Sequence, residues 1–277
     1  VRMVNAVFED LHRDDFDPEG NTDRFLAHIS DYAAHGVLAF TIGLQGGMPG
    51  YEGAKNSAFN PDGSLRKTYL QRVQRVIDAC DEKGLVVILG CFYQRQDQVL
   101  EDEAAVRRGL LNVVDWIGSS NFQNVVLEVS NEFDHPGFDH TVLRSVRGQL
   151  DLIQLVKKTA PGLLVSTSGL GHGRYPAELA EAADFMLIHF NGTKVEDIPG
   201  RIAALAKYGK PIVCNEDDKQ GETAAQAAAL CVANGASWGL MLKEQNQYFP
   251  LEFHGAADDL VVYRKLKDLT SYGSGSR

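Results

Sequence analysis

Short apolar, β-branched segments alternate with longer segments of helical periodicity along almost the whole chain. This alternation limits the fold more than any other feature, because it is typical of parallel sheets covered by helices. The predicted strands are Met3–Phe8, Val37–Ile42, Leu85–Leu89, Asn124–Val129, Leu163–Thr167, Phe185–Ile188, Ile212–Cys214 and Trp238–Leu242. Eight such α/β units joined by right-handed crossovers predict a single (β/α)8 TIM barrel.

The chain length of 277 residues suits one domain of this kind, since such barrels take about 250 residues. We expect the barrel to occupy residues 1–272 and the polar residues 273–277 to form a disordered tail. The competing fold is an open, doubly wound sheet. The segment Gly43–Gly47 has glycines but neither a Gly-x-Gly-x-x-Gly pattern nor a phosphate-binding lysine, which favours the barrel.

The composition argues against several classes of partner. A net charge of −10 is unfavourable for a nucleic-acid or anionic membrane surface, and no apolar run approaches the roughly 20 residues that cross a bilayer. The four cysteines have no Cys-x-x-Cys spacing, so we expect reduced, buried thiols rather than a zinc or redox site. The start at Val1 indicates a fragment or processed form, and both the compartment and the oligomeric state stay open.

Polar side chains follow every predicted strand, at the barrel end where active sites form. Sugars need such groups, because each hydroxyl both donates and accepts hydrogen bonds. The candidate binding residues are Asp10, Gln45, Tyr93, Arg95, Asn131, His172, His189, Asn191, Lys243 and Gln245. Glu132 and Glu216 each follow an asparagine at the end of a strand-like run. Two carboxylates over one cavity are the catalytic groups that a glycoside hydrolase uses.

The motif Glu128-Val-Ser-Asn131-Glu132 resembles the fourth-strand signature of the clan A glycoside hydrolases, the (β/α)8 superfamily of cellulases, mannanases and β-glycosidases. The resemblance implies that Glu132 is the general acid/base and that Glu216, ending the seventh strand, is the nucleophile. His189 is similar to the sixth-strand histidine of cellulase-like members. The implied function is retaining hydrolysis of a β-linked oligo- or polysaccharide, with no cofactor.

Two departures from this family pattern concern substrate specificity. Cellulase-like members usually carry an aromatic platform near the end of strand eight, where this chain has Lys243–Gln245. They also tend to have an arginine by strand one or two and a histidine ending strand three. Those strand ends read Glu9-Asp10, Gln45 and Tyr93-Gln94 here. The sequence therefore supports cleavage of a glycosidic bond more strongly than it supports β-glucan or mannan as the substrate.

Three alternatives on function stay open. A basic rim in an acidic protein indicates an acidic sugar as substrate, and its members are Arg95, His172 and Lys243. A glycan-binding barrel without hydrolysis is the first rival, because the strand-eight aromatic is missing. A metal-dependent lyase or hydrolase is the second, although no His-x-His or His-Glu-x-x-His spacing supports it. The side chains that would suit a divalent cation are Glu132, His189, Glu216 and Asp217.

Overall fold

The computed structural model of the chain describes residues 1–271, in which strands and helices alternate as the sequence indicates. The strands are β1 (Ala39–Gly43), β2 (Val86–Phe92), β3 (Val125–Ser130), β4 (Val165–Ser166), β5 (Met186–His189), β6 (Ile212–Glu216) and β7 (Ala236–Ser237). The helices are α1 (Pro18–Ala34), α2 (Lys67–Asp81), α3 (Glu103–Ser119), α4 (Val146–Thr159), α5 (Ala177–Ala182), α6 (Ile198–Ala206), α7 (Gly221–Ala233) and α8 (Leu260–Ser271). The predicted tail, 273–277, lies outside the described residues.

All strand pairs are parallel, in a sheet of order β1-β2-β3-β4 and a sheet of order β5-β6-β7. A bridge between Ser168 and Leu187 links β4 to β5. At the other junction, the Met3 amide donates to the Thr41 carbonyl (2.9 Å) and the Arg2 amide to the Leu240 carbonyl (2.8 Å). The ladder is not continuous, but the strands follow one another in the order of a (β/α)8 barrel, which confirms the predicted fold class.

The predicted strand Met3–Phe8 is wrong, because only Arg2 pairs with the sheet and the chain then turns. The Ala6 amide donates to the Met3 carbonyl at 3.0 Å. The side-chain amide of Asn21 on α1 donates to the backbone carbonyls of Asn5 and Ala6. These bonds satisfy backbone groups that a ladder would otherwise use. The apolar run Met3–Phe8 is therefore a buried turn that is hydrogen-bonded to α1.

The predicted strand Trp238–Leu242 is also wrong, since β7 ends at Ser237 and only Leu240 makes a further bridge, to Asp217. The indole of Trp238 is buried and donates to the Asp217 carboxylate at 2.8 Å, as a buried indole N–H requires. The backbone at Gly239 passes so close to β6 that an added Cβ would lie 3.1 Å from the Cys214 carbonyl oxygen. This close approach replaces a regular ladder.

Alternate residues of β2 face different layers. Val87 and Leu89 belong to the large core cluster shared with the helices, whereas Ile88 joins Phe185 in a small cluster with the buried Leu187. Further along β2, Gly90 lies beside the buried carboxylate of Glu128, which would be in ordinary van der Waals contact with an added Cβ, at 3.4 Å. The barrel interior thus changes from apolar to polar toward the strand ends.

The four cysteines are free and buried, as expected for small core residues; they are Cys80, Cys91, Cys214 and Cys231. Within residues 1–271, the helices are all too short or too polar to cross a membrane.

Candidate active site

Glu132 follows β3 in a backbone conformation that an L-residue seldom adopts. Its φ is +47°, in the left-handed region, which costs roughly 1–3 kcal/mol for a residue other than glycine. The loop after β4 holds this turn, because the Glu132 amide donates to the Ser168 hydroxyl (3.0 Å) and the Phe133 amide to the Ser168 carbonyl (2.9 Å). Strained residues of this kind cluster at functional sites.

Glu216 ends β6 and lies beside His189, which ends β5. The two residues are register partners after an irregularity between Ile188 and His189. Nδ1 of His189 lies 3.6 Å from the Glu216 carboxylate and 3.3 Å from the Glu132 carboxylate. One carboxylate oxygen of each glutamate and a ring nitrogen of His189 lie within 4.8 Å of one another. Glu132, His189 and Glu216 therefore form one cluster at the strand ends, and the space that they line is called the pocket.

Arg2 is a site residue that the sequence analysis missed. Its Nε lies 2.7 Å from the Glu216 carboxylate, and its Nη2 donates to the Asn131 side-chain oxygen at 2.7 Å. Because a strand was predicted over Met3–Phe8, the strand end was placed after Arg2 instead of at it. The sequence prediction gave the strand ends as lacking the arginine that the family tends to have by strand one or two, and that tendency is the signal that could have pointed to Arg2.

The charges around Glu216 favour its ionised form. Burial by itself would raise the pKa of Glu216, but Arg2 first, then His189 and Asn191, outweigh burial and hold the pKa below its ordinary value of 4.5. Burial would likewise lower the pKa of His189, yet Glu216 and Glu132 outweigh it and raise the pKa above 6.5. The pocket therefore stabilises an anionic Glu216 next to a cationic His189.

Gln94 connects both members of the Asn-Glu pair. Its side-chain nitrogen donates to the Glu132 carboxylate (3.2 Å) and to the Tyr51 hydroxyl (2.8 Å), and its oxygen accepts from Asn131 (3.0 Å). Tyr51 belongs to the short 3₁₀ helix Met48–Glu52, and burial raises the pKa of Tyr51 to about 12. Gln94 ends a predicted strand and Tyr51 lies in a predicted loop, but neither was among the predicted binding residues, because their contacts with Glu132 depend on the tertiary structure.

Several predicted residues do lie at this pocket. Asn191 donates a short hydrogen bond to Glu216, and its buried side-chain oxygen has no partner within residues 1–271. Tyr93 is buried, and the charges of Arg2, Glu132 and Glu216 act on its hydroxyl. Lys243 is half-buried and contributes to the low pKa of Glu216.

Other predicted residues are used by their own loops or lie on the rim. The Asp10 carboxylate accepts from two backbone amides, and the Gln45 side chain bonds a serine hydroxyl and two backbone groups. Gln245 donates to an acidic side chain near α8. His172 is exposed and accepts from a nearby backbone amide, while Arg95 is exposed and stacks on Tyr51. Their roles in binding stay predictions.

Asp217 does not join the pocket. It is fully buried, and its carboxylate pairs with the ammonium of Lys219 (2.8 Å) and accepts from Trp238 (2.8 Å). Of the four suggested metal ligands, the structure brings together the three other than Asp217. Arg2 already supplies a positive charge 2.7 Å from Glu216, so a divalent cation there would face electrostatic repulsion.

Solved glycoside hydrolases share this fold. A GH5-4 broad-specificity endoglucanase from an uncultured bovine rumen ciliate is similar with a TM-score of 0.68 at 12% identity, over 98% of this chain and 95% of that one. The endo-β-1,4-mannanase of Thermotoga petrophila is similar with a TM-score of 0.63 at 14% identity, over 92% and 75%. No protein-family model and no curated protein matches the sequence.

A Bacteroides vulgatus protein, itself assigned as a candidate glycoside hydrolase, is similar with a TM-score of 0.68 at 14% identity over 92% of this chain. This chain spans only 54% of that protein's length. At these identities the likeness establishes the fold. The predicted resemblance to the clan of (β/α)8 glycoside hydrolases is confirmed at that level.

Proposed function

We propose that this protein is a retaining glycoside hydrolase that cleaves a β-linked oligo- or polysaccharide, with Glu132 as general acid/base and Glu216 as nucleophile. The observation that carries the proposal is the 4.8 Å within which one oxygen of each carboxylate lies. Retaining enzymes hold their carboxyl groups about 5–5.5 Å apart, whereas inverting enzymes need about 6.5–9.5 Å to admit a water molecule. The observed spacing supports direct attack.

In the first step, Glu216 attacks the anomeric carbon while Glu132 gives its proton to the leaving-group oxygen. In the second, Glu132 takes a proton from water, and the resulting hydroxide displaces Glu216 from the sugar. The pair carries one negative charge throughout, on Glu216 before attack and on Glu132 in the covalent intermediate. Because His189 contacts both carboxylates, one imidazolium stabilises whichever of them is ionised.

Asn131 is held by protein contacts at both ends of its amide. Its oxygen accepts from Arg2, and its nitrogen donates one hydrogen to Gln94. The nitrogen carries two hydrogens, so one is left for a substrate. We assign that hydrogen to the sugar 2-hydroxyl, a contact that strengthens in an oxocarbenium-like transition state.

The nucleophile assignment is tested by Glu216→Ala with an activated aryl glycoside panel. We expect kcat to fall by at least ~10³-fold, about 4 kcal/mol of transition-state stabilisation. Azide should restore turnover and give a glycosyl azide of inverted configuration, since azide then occupies the nucleophile's place. Glu132→Ala should give the retained azide instead, because azide attacks the covalent intermediate. Glu222→Ala, an exposed acid on α7, is the matched control.

Two outcomes would select the rivals. Wild-type turnover by Glu216→Ala would refute the nucleophile assignment, and glycan binding without reducing-end release across the panel would favour a non-hydrolytic barrel. We expect hydrolysis to be insensitive to chelators. Loss of activity on chelation, with recovery on adding a divalent cation, would favour a metal-dependent enzyme at Glu132, His189 and Glu216.

A further inference from the structure

Two cationic side chains at the mouth of the pocket have no anionic partner. Within residues 1–271, neither the Lys243 ammonium nor the Arg95 guanidinium forms a hydrogen bond or an ion pair. The other cations beside the site are occupied: Arg2 pairs with Glu216, and Lys219 pairs with Asp217. Lys243 and Arg95 therefore remain available to an anion from outside the chain.

Lys243 lies on the side of the nucleophile. The preceding segment runs beside the end of β6, because Leu240 bridges Asp217 and the Met241 amide donates to the Asp217 carbonyl at 2.9 Å. Lys243 is half-buried, and its charge acts on both Glu216 and Asp218 without an ion pair to either. A sugar unit attached to Glu216 would therefore be next to this ammonium.

Arg95 lies on the side of the acid/base. Its guanidinium carbon is 4.6 Å from the Tyr51 ring centroid, a cation–π stack that fixes the planar group. The Tyr51 hydroxyl accepts from Gln94, which also donates to Glu132, so the Tyr51 ring and the Gln94 amide connect Arg95 to the acid/base. The Arg95 amide donates to the Gly137 carbonyl, which ties this residue to the loop that follows Glu132.

The catalytic pair does not need these two charges. Arg2 and His189 already contact Glu216, and His189 also contacts Glu132. Asp218 and Asp139 are rim acids near Lys243 and Arg95, but neither pairs with them. The charges of Lys243 and Arg95 are therefore free to act on a ligand, and an anionic ligand is the kind that both would attract.

We propose, on the basis of the proposed function, that the substrate is a glycan with anionic substituents, either uronic carboxylates or sulfate esters. Lys243 binds the anionic group of the unit attached to the nucleophile, and Arg95 binds one on the leaving-group side. A lysine at the end of the last barrel segment thus selects charge where an aromatic platform would select a neutral sugar face.

Binding is measured by calorimetry with the variant Glu132→Gln, which keeps the shape of the protonated acid and prevents turnover. The probes are oligosaccharides of one backbone in neutral, uronate and sulfated forms, for glucose, galactose and mannose series. We expect the uronate or sulfated member of at least one series to bind about tenfold tighter than the neutral member, with a preference that shrinks as salt rises. Comparing the affinities of the uronate and sulfated probes shows which of the two anionic groups the protein binds.

Adding Lys243→Gln should remove about tenfold in affinity for the anionic member and leave the neutral member within about twofold, whereas Lys243→Arg keeps the preference. Arg95→Gln should act in the same direction, and Lys207→Gln, an exposed lysine after α6, is the matched control. Neutral members that bind as tightly as anionic ones, or an equal loss for both with Lys243→Gln, would overturn the proposal.

These results separate the two proposals because binding requires no turnover. An anionic preference without hydrolysis of any form would refute the hydrolase and leave the ligand class intact. Hydrolysis of neutral and anionic forms with equal efficiency would support the hydrolase and refute the anionic ligand class.

Discussion

Arg2 contacts both halves of the proposed catalytic machinery, through Glu216 on β6 and Asn131 after β3. It is 1% exposed, so its charge acts with little screening by solvent. A guanidinium at this position holds Glu216, the proposed nucleophile, ionised and fixes the amide of Asn131 at the same time. Arg2 therefore links the two strand-end Asn-Glu motifs, which are far apart along the chain.

The substitution Arg2→Met should move the acid limb of kcat/KM to higher pH. Arg2 stabilises the anionic form of Glu216 and so lowers its pKa below 4.5; without Arg2, burial raises that pKa and the nucleophile protonates at a higher pH. The measurement is the pH profile from pH 3 to 8. Arg147→Met, an exposed residue on α4, should leave the limb in place. An unchanged acid limb in Arg2→Met would contradict the assigned electrostatics.

At the scale of elements, Asp97 joins the loop after β2 to the loop after β3. It is fully buried and accepts from the Asp139 amide (2.9 Å) and from the amide and ring of His140 (3.0 and 2.8 Å). The first loop carries Gln94 and the second follows Glu132. This junction holds the two loops together beside the pocket, although Asp97 makes no hydrogen bond to Glu132 or Glu216.

Asp97→Ala should destabilise the protein by about 3 kcal/mol, because it removes charge-assisted hydrogen bonds and leaves buried donors unpaired. We expect KM to rise several-fold as well, since the loop after β3 loses its anchor. Asp102→Ala is the matched control: Asp102 caps α3 by accepting from the Ala105 amide, and its loss costs about 1 kcal/mol. Urea unfolding and steady-state kinetics measure both effects. Equal changes of KM in the two variants would show that the junction does not position the site.

The helices agree with the sequence prediction better than the strands do. The helical spacing of Phe25, Leu26, Ile29 and Ala33 with a stop at Gly36 predicts a helix from about Thr22, and α1 spans Pro18–Ala34. A strand has a weaker signal, because a buried turn such as Met3–Phe8 is as apolar as a buried strand. Backbone hydrogen bonds to Asn21 on α1 decide between the two, and those bonds are not visible in local composition.

On the scale of the whole molecule, one core cluster includes side chains from Met3 to Leu266. The predicted single domain requires one core that is shared along the chain. Thermal unfolding tests that prediction directly. Leu89 is fully buried in β2, whereas Leu260 at the start of α8 is 52% exposed.

Calorimetry should give one unfolding transition, and Leu89→Ala should shift the entire transition by lowering stability about 2–5 kcal/mol. Leu260→Ala should stay within about 0.5 kcal/mol of wild type, because it removes little buried area. Two resolved transitions, of which only one moves in Leu89→Ala, would mean that the chain holds two independent units.

Local patterns in the sequence determined the barrel, the order of its strands and the two Asn-Glu motifs, because alternation and strand-end chemistry are properties of neighbouring residues. The tertiary structure alone placed Arg2 beside Glu216 and gave the Asp10, Gln45 and Gln245 side chains hydrogen-bond partners in neighbouring loops. It also brought one carboxylate oxygen of Glu132, one of Glu216 and a ring nitrogen of His189 within 4.8 Å of one another. These outcomes depend on strand register and loop hydrogen bonds between residues far apart in the chain, and such contacts exist only once the barrel has formed.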